Sequence, residues 1–138
     1  MSAIDLTKKL VNFNTVSRDS NLPLIDYVAT YLDDFGIKSH RVESPDGKKS
    51  NLYASIGPEE PGGVVLSGHT DVVPTDGQDW HTDPFMPEIK DGNLLGRGTC
   101  DMKGFIGTAL SLVPEMNSLE KPIHFALSYD EEIGCKGA

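Results

Sequence analysis

Gly63-Val64-Val65-Leu66-Ser67-Gly68-His69-Thr70-Asp71 decides the fold of this chain. Residues 63–68 are a continuous apolar and β-branched run, the pattern of a central strand covered on both faces. His69 and Asp71 stand just past its end at i and i+2, so in extended geometry both side chains face the same side. Side chains at strand ends in an open α/β sheet point into one shared crevice. Two more acidic clusters follow strand-like runs: Asp101 after residues 92–98, and Glu131-Glu132 after residues 123–129. One histidine and several carboxylates converging there make a site for one or two hard-to-borderline divalent cations.

Outward from that strand the pattern is α/β. Ile4, Leu6, Leu10, Val11 and Phe13 give residues 3–13 the apolar spacing of an amphipathic helix, which the polar stretch 14–20 breaks. A second helix fits residues 21–35, capped by Ser20 or Asn21 and with Pro23 in its first turn. Leu24, Ile25, Val28, Leu32 and Phe35 would be its buried stripe and Gly36 its stop. Strands near 37–43 and 51–56 flank the turn Ser44-Pro45-Asp46-Gly47. Residues 72–91 form a long Pro/Gly/Asp-rich excursion containing the only tryptophan, Trp80, a length that implies a functional or covering role. A helix is expected from just after Asp101 to about Val113, ended by Pro114. Residues 134–138 read as the opening of another helix.

The 138 residues suit a single domain. The net charge of −9 excludes a nucleic-acid partner, because little in the chain could neutralise a phosphate backbone. No apolar run is long enough for a membrane-spanning helix, and the N-terminus lacks a signal-peptide pattern, so a cytoplasmic location is expected. Cys100 and Cys135 form no framework and are expected to stay reduced.

Each candidate residue has an ordinary explanation beside the chemical one. His69 with Asp71 suits a metal-ligating imidazole oriented by a carboxylate, or a structural hydrogen bond. Asp101 could bridge two cations or simply cap the following helix. Glu131 and Glu132 could divide labour, one held by metal and one carrying protons, or could favour a solvated helix N-terminus. The site reading gains from all three clusters falling on predicted strand ends.

Residues 67–74 (SGHTDVVP), 96–104 (GRGTCDMKG) and 128–134 (SYDEEIG) resemble the dinuclear zinc hydrolases of the acetylornithine deacetylase, succinyl-diaminopimelate desuccinylase, aminoacylase and glutamate carboxypeptidase family. Trp80 through Phe85, ahead of a Gly-x-Leu-x-Gly-Arg-Gly stretch, also looks like that family, so the resemblance spans nearly the whole chain. Within the family, the stretch from Ser128 to Cys135 looks most like acetylornithine deacetylases. The resemblance implies a zinc-peptidase-like three-layer α/β/α sandwich with a mixed sheet. It implies two Zn2+ ions per complete site, with Co2+ an alternative. His69 would bind one metal, Glu132 the other, and Asp101 would bridge them. Asp71 would orient His69, and Glu131 would be the general base for water attack on the amide carbonyl. The Asp101–Met102 peptide is expected to be cis.

The implied activity is deacetylation of N2-acetyl-L-ornithine to L-ornithine and acetate, in arginine biosynthesis. The substrate class is a small N-acylated amino acid, and the complete chain is expected to be a homodimer. Desuccinylation of succinyl-diaminopimelate, dipeptide hydrolysis and a non-catalytic fragment remain alternatives. Members of the family run to nearly three times this length. They add a further acidic ligand, a last histidine and a dimerisation domain. The chain is therefore read as the N-terminal part of the catalytic domain, expected to be inactive alone. His40, His81 and His124 do not match the missing histidine. Cys100 stands where alanine is usual and is expected to pack rather than ligate.

Overall fold

The computed structural model describes residues 1–138. Helix α1 (Ala3–Val11) starts in a capping box: the Asp5 amide donates to Ser2 Oγ, and the Ser2 amide donates to the Asp5 carboxylate. Its buried Leu6 and Leu10 lie one turn apart with Val11 next to the second, as the spacing predicts. Helix α2 (Leu22–Asp33) has Pro23 in its first turn and buries Leu24, Ile25, Val28, Tyr31 and Leu32. Gly36 follows at φ 73°, a left-handed stop that costs glycine little. One expectation fails in this helix: Phe35 is exposed beside Tyr31. Of the two capping candidates, Ser20 Oγ accepts the Leu22 amide at 3.2 Å, while Asn21 makes no cap hydrogen bond because its side chain is used elsewhere.

Strands β1 (Ser39–Glu43), β2 (Ser50–Ile56) and β3 (Val64–His69) follow. A separate hairpin, β4 (Glu88–Lys90) with β5 (Asn93–Leu95), then turns at Asp91-Gly92, both at positive φ as a type I′ turn requires. Helix α3 (Lys103–Ser111) comes next, with a short 3-10 turn at Val113–Glu115 containing Pro114. The chain returns as β6 (Ile123–Ser128), and residues 132–137 form turns rather than the expected helix opening.

The main sheet runs β1-β2-β6-β3. Its β1/β2 and β2/β6 pairs are antiparallel and its β6/β3 pair is parallel. Alternate residues Leu52, Ala54 and Ile56 of β2, with Phe125 and Leu127 of β6, meet residues of all three helices in one core. Helices α1 and α3 touch closely. A Cβ on Gly107 would lie 2.4 Å from Thr7 Oγ1 and 2.7 Å from the Thr7 amide nitrogen, so only glycine fits.

The expected α/β class with a mixed sheet is thus present. All three helices cover one face, so this chain builds two of the layers and the other face of the sheet is open. The expectation that β3 is central and doubly covered is corrected: it is an edge strand, and Val65 is 57% exposed. For the site, the decisive feature is the parallel β3/β6 pair. Its register sets His69 beside Ser128, so both strands deliver their following residues to the same end of the sheet.

Candidate metal centre

Strand β3 ends at His69, whose ring is buried against the strand end. His69 Nδ1 lies 3.0 Å from the Asp71 backbone carbonyl, so that nitrogen carries a hydrogen and Nε2 is the nitrogen left to ligate a cation once it gives up its own proton. Nε2 is 3.0 Å from Asp101 Oδ1 and 3.7 Å from Glu131 Oε2. Donor atoms of His69, Asp101 and Glu132 all fall within 4.8 Å of one another. The structure therefore brings together the residues that the sequence singled out, from three separate stretches of chain.

Asp101 arrives by a different route from the one expected. The strand before it, β5, belongs to the small hairpin and not to the main sheet. The cap position of α3 falls on Met102, so the capping explanation for Asp101 fails, and its carboxylate faces His69 instead. The Asp101–Met102 peptide is cis, as the resemblance implied.

Asp71 is 2% exposed, and its carboxylate does more than face an imidazole. Oδ1 accepts the Glu131 amide at 3.1 Å; Oδ2 accepts the Glu132 amide at 3.2 Å and the Ser17 hydroxyl at 2.5 Å. The nearest carboxylate oxygen is 3.6 Å from His69 Nδ1, beyond hydrogen-bond reach, so it acts on the ring through its charge. That charge, outweighing burial and joined by Asp101, raises His69 to about 9 in the metal-free site. Burial alone would push Asp71 up. Its contacts with His69, Ser17 and the two glutamate amides outweigh burial and hold it at about 2. Burial first, then the neighbouring Asp101 and Glu131 carboxylates, push Glu132 up.

The donor set fits a divalent cation. Asp101, Glu131 and Glu132 crowd one imidazole, and no lysine or arginine pairs with any of them. A cation in their midst removes the mutual repulsion. One nitrogen and several oxygens suit zinc or cobalt. Cys100 and Cys135 are both free and exposed, and neither is among the candidate ligands, although the Cys135 thiol donates to Glu131 Oε1 at 3.8 Å. His124 has partners for both ring nitrogens, Tyr53 and Ser55 on one side and the Gly62 carbonyl on the other, which makes it a satisfied structural histidine on the open face.

Four supporting residues were missed in the sequence. Thr15 Oγ1 donates to the Thr70 carbonyl at 2.6 Å, and Asn21 Nδ2 donates to Thr70 Oγ1 and to the Ser50 carbonyl. Ser17 reaches Asp71, and fully buried Lys103 donates to the Phe13 carbonyl at 2.7 Å. The signal available was the period-two spacing of Thr15 and Ser17, which marks an extended segment with both side chains on one side.

Residues 65–138 match the description "Peptidase family M20/M25/M40". A succinyl-diaminopimelate desuccinylase from Anaplasma marginale is 37% identical over 131 residues, 94% of this chain and 34% of that protein. An acetylornithine deacetylase from Shigella sonnei is 39% identical over 122 residues, 86% of this chain and 32% of that protein. Among solved structures, human carnosine dipeptidase 1 superposes with a TM-score of 0.83 over 97% of this chain and 33% of its own, at 24% identity. An M20 family metallo-carboxypeptidase from Sulfolobus solfataricus gives 0.81 over 97% of this chain and 32% of its own, at 22% identity. These two structures speak to the fold. The chain spans about a third of the length of the curated relatives it matches. By the motif-bearing residues 65–138, which are more than half of its length, the chain belongs to peptidase family M20/M25/M40.

Proposed function

We propose that this chain supplies the metal-binding and proton-transfer side chains of a metal-dependent amide hydrolase acting on N2-acetyl-L-ornithine, releasing L-ornithine and acetate. The observation that carries this reading is the meeting of His69, Asp101 and Glu132 donor atoms within 4.8 Å at the end of the β3/β6 pair. In it His69 and Glu132 would each hold an ion, and Asp101 would be the carboxylate shared by both. The chemistry a bound zinc or cobalt pair supplies is Lewis-acid polarisation of the amide carbonyl and acidification of water. Glu131 Oε2, beside the cluster and paired with no lysine or arginine, takes the proton of the attacking water and passes it to the leaving amine. Asp71 fixes the His69 tautomer through its backbone carbonyl and keeps the Glu131-Glu132 backbone in place. The complete enzyme is a homodimer in this reading, and these 138 residues are the N-terminal part of its catalytic domain.

Desuccinylation of succinyl-diaminopimelate is the second reading, supported by the 37% identity to the Anaplasma marginale protein over 94% of this chain. Zn2+ titration of the wild-type chain, His69→Ala and Glu132→Ala tests the site: binding by the wild type and at least about tenfold weaker binding by both variants is expected. Equal or negligible uptake by all three favours a non-catalytic fragment and sinks the proposal. Turnover of N2-acetyl-L-ornithine against N-succinyl-diaminopimelate by this sequence in a chain of its relatives' length decides between the two substrates. The 138 residues alone are expected to run far below that rate.

A further inference from the structure

Residues 15–17 lie alongside residues 70–72 as a short extended segment. Val72 donates its amide to the Thr15 carbonyl at 3.0 Å, Ser17 donates its own to the Val72 carbonyl at 3.2 Å, and Val16 bridges Val72 in parallel. Ser17 is the residue of this segment that reaches the site. Its hydroxyl, on a residue 4% exposed, donates to Asp71 Oδ2 at 2.5 Å. That is a charge-assisted bond at the short end of the normal range. Its carbonyl accepts the Lys49 ammonium, which also pairs with Asp130, the residue just before the glutamates. Ser17 is therefore joined to the Asp130–Glu132 segment twice, once through Lys49 and once through Asp71.

We propose that Ser17 is a positioning residue of the metal centre: its hydroxyl fixes the Asp71 carboxylate, which in turn fixes the backbone of Glu131 and Glu132. The proposal rests on the metal-site reading above and extends it to a residue far from the motifs in sequence. Asp71 Oδ1 has one donor, the Glu131 amide, while Oδ2 has two, the Glu132 amide and Ser17. The two amides come from adjacent residues of one turn and move together with it. Ser17 is the one donor to that carboxylate from outside the turn, so it anchors the carboxylate to the rest of the fold. Without it the carboxylate can turn about its own side-chain bonds, and the Glu131 and Glu132 amides that it holds can shift with it. Partners at this remove from a metal change affinity by about 10–100-fold.

The test is Zn2+ titration calorimetry on wild type, Ser17→Ala, Ser17→Thr and Thr15→Val, with a thermal melt of each metal-free protein. Ser17→Ala should lose about tenfold in Zn2+ affinity, and Ser17→Thr, which keeps the hydroxyl, should recover most of it. Thr15→Val removes a bond of the same segment to the Thr70 carbonyl and should lower the melting temperature while losing clearly less Zn2+ affinity than Ser17→Ala. Equal affinity for wild type and Ser17→Ala overturns the proposal. So does an equal loss in Thr15→Val, since docking of the segment would then be the whole effect. If Ser17→Ala does not fold, amide hydrogen exchange of the wild type decides. Protection of Glu131 and Glu132 comparable to that of Leu127 within β6 supports the Asp71 anchor, and free exchange of both sinks it. A wild type that takes up no Zn2+ refutes the metal-site reading and, with it, the positioning role of Ser17.

Discussion

The Asp71 carboxylate accepts the backbone amide of Glu131 at 3.1 Å, across sixty positions of sequence. With the Glu132 amide on its other oxygen, Asp71 acts as a side-chain anchor for the turn that presents both glutamates. Its acceptor-only character is what the turn needs, because every neighbouring group is a donor.

Asp71→Asn tests that requirement at nearly constant shape. Either orientation of the amide sets an NH2 group against a backbone N–H, Glu131 on one side or Glu132 on the other. A buried donor left facing a donor costs about 1–3 kcal/mol. Urea unfolding of the metal-free protein should show a loss of that size for Asp71→Asn. A variant as stable as the wild type would mean that the amides find other acceptors.

Stability of the metal-free chain should depend on pH through two buried groups with opposite signs. His69 is raised from 6.5 to about 9, so its contribution is fully present below about pH 6.5 and is lost as pH rises through about 9. The margin of wild type over His69→Gln should shrink across that window. Lys103 is lowered by burial from 10.5 to about 7, so folding favours its neutral form. The cost of its burial is full below about pH 7 and is relieved as pH rises toward 10.5. Wild type should therefore gain on Lys103→Met across that range by a few kcal/mol, at about 1.4 kcal/mol per unit of pKa shift. Denaturant midpoints measured at closely spaced pH values check both slopes, and flat differences would show that neither group titrates as its surroundings dictate.

The parts of this molecule legible in the sequence were those written in local pattern. The stripe Leu6, Leu10 and Val11 and the run after Gly63 gave helix and strand, and the carboxylates after β3 and β6 stood where parallel strands deliver them. What was not legible depends on which neighbours a segment finds. The run Val64–Leu66 reads as doubly covered, yet its second face has no cover within these residues. Asn21 has the chemistry of a helix cap, but Ser50 and Thr70 offer it buried partners, and Ser20 is left to accept the Leu22 amide. Asp101 has the same cap signal and is drawn to His69 instead. In both cases a tertiary contact outcompeted a local one, and no spacing rule announces that.

Gly107→Ala sets two effects against each other. Alanine favours a helix interior by about 1 kcal/mol over glycine. The new Cβ would lie 2.7 Å from the Thr7 amide nitrogen and 2.9 Å from its Cα, backbone atoms that yield only if α1 moves. Overpacking of this kind typically costs about 1–3 kcal/mol. The clash should win, and the variant should melt below the wild type; a higher melting temperature would show that α1 is free to shift.

Val65→Lys addresses the open side of the sheet. Strand β3 is an edge, with β6 on one side and no strand on the other, and Val64 and Val65 are both more than half exposed. An edge that is apolar and unpaired is a template for another copy of itself, and a lysine on such a strand is the usual protection. Light scattering of the wild-type chain should show mass rising with concentration, and Val65→Lys should suppress the rise. Because Val65 faces away from the core shared with the helices, the substitution should change unfolding free energy by no more than about 0.5 kcal/mol. A wild type that stays monomeric at high concentration would mean the edge is protected by its twist or its flanks. A lysine variant that unfolds readily would mean this face bears on the core after all.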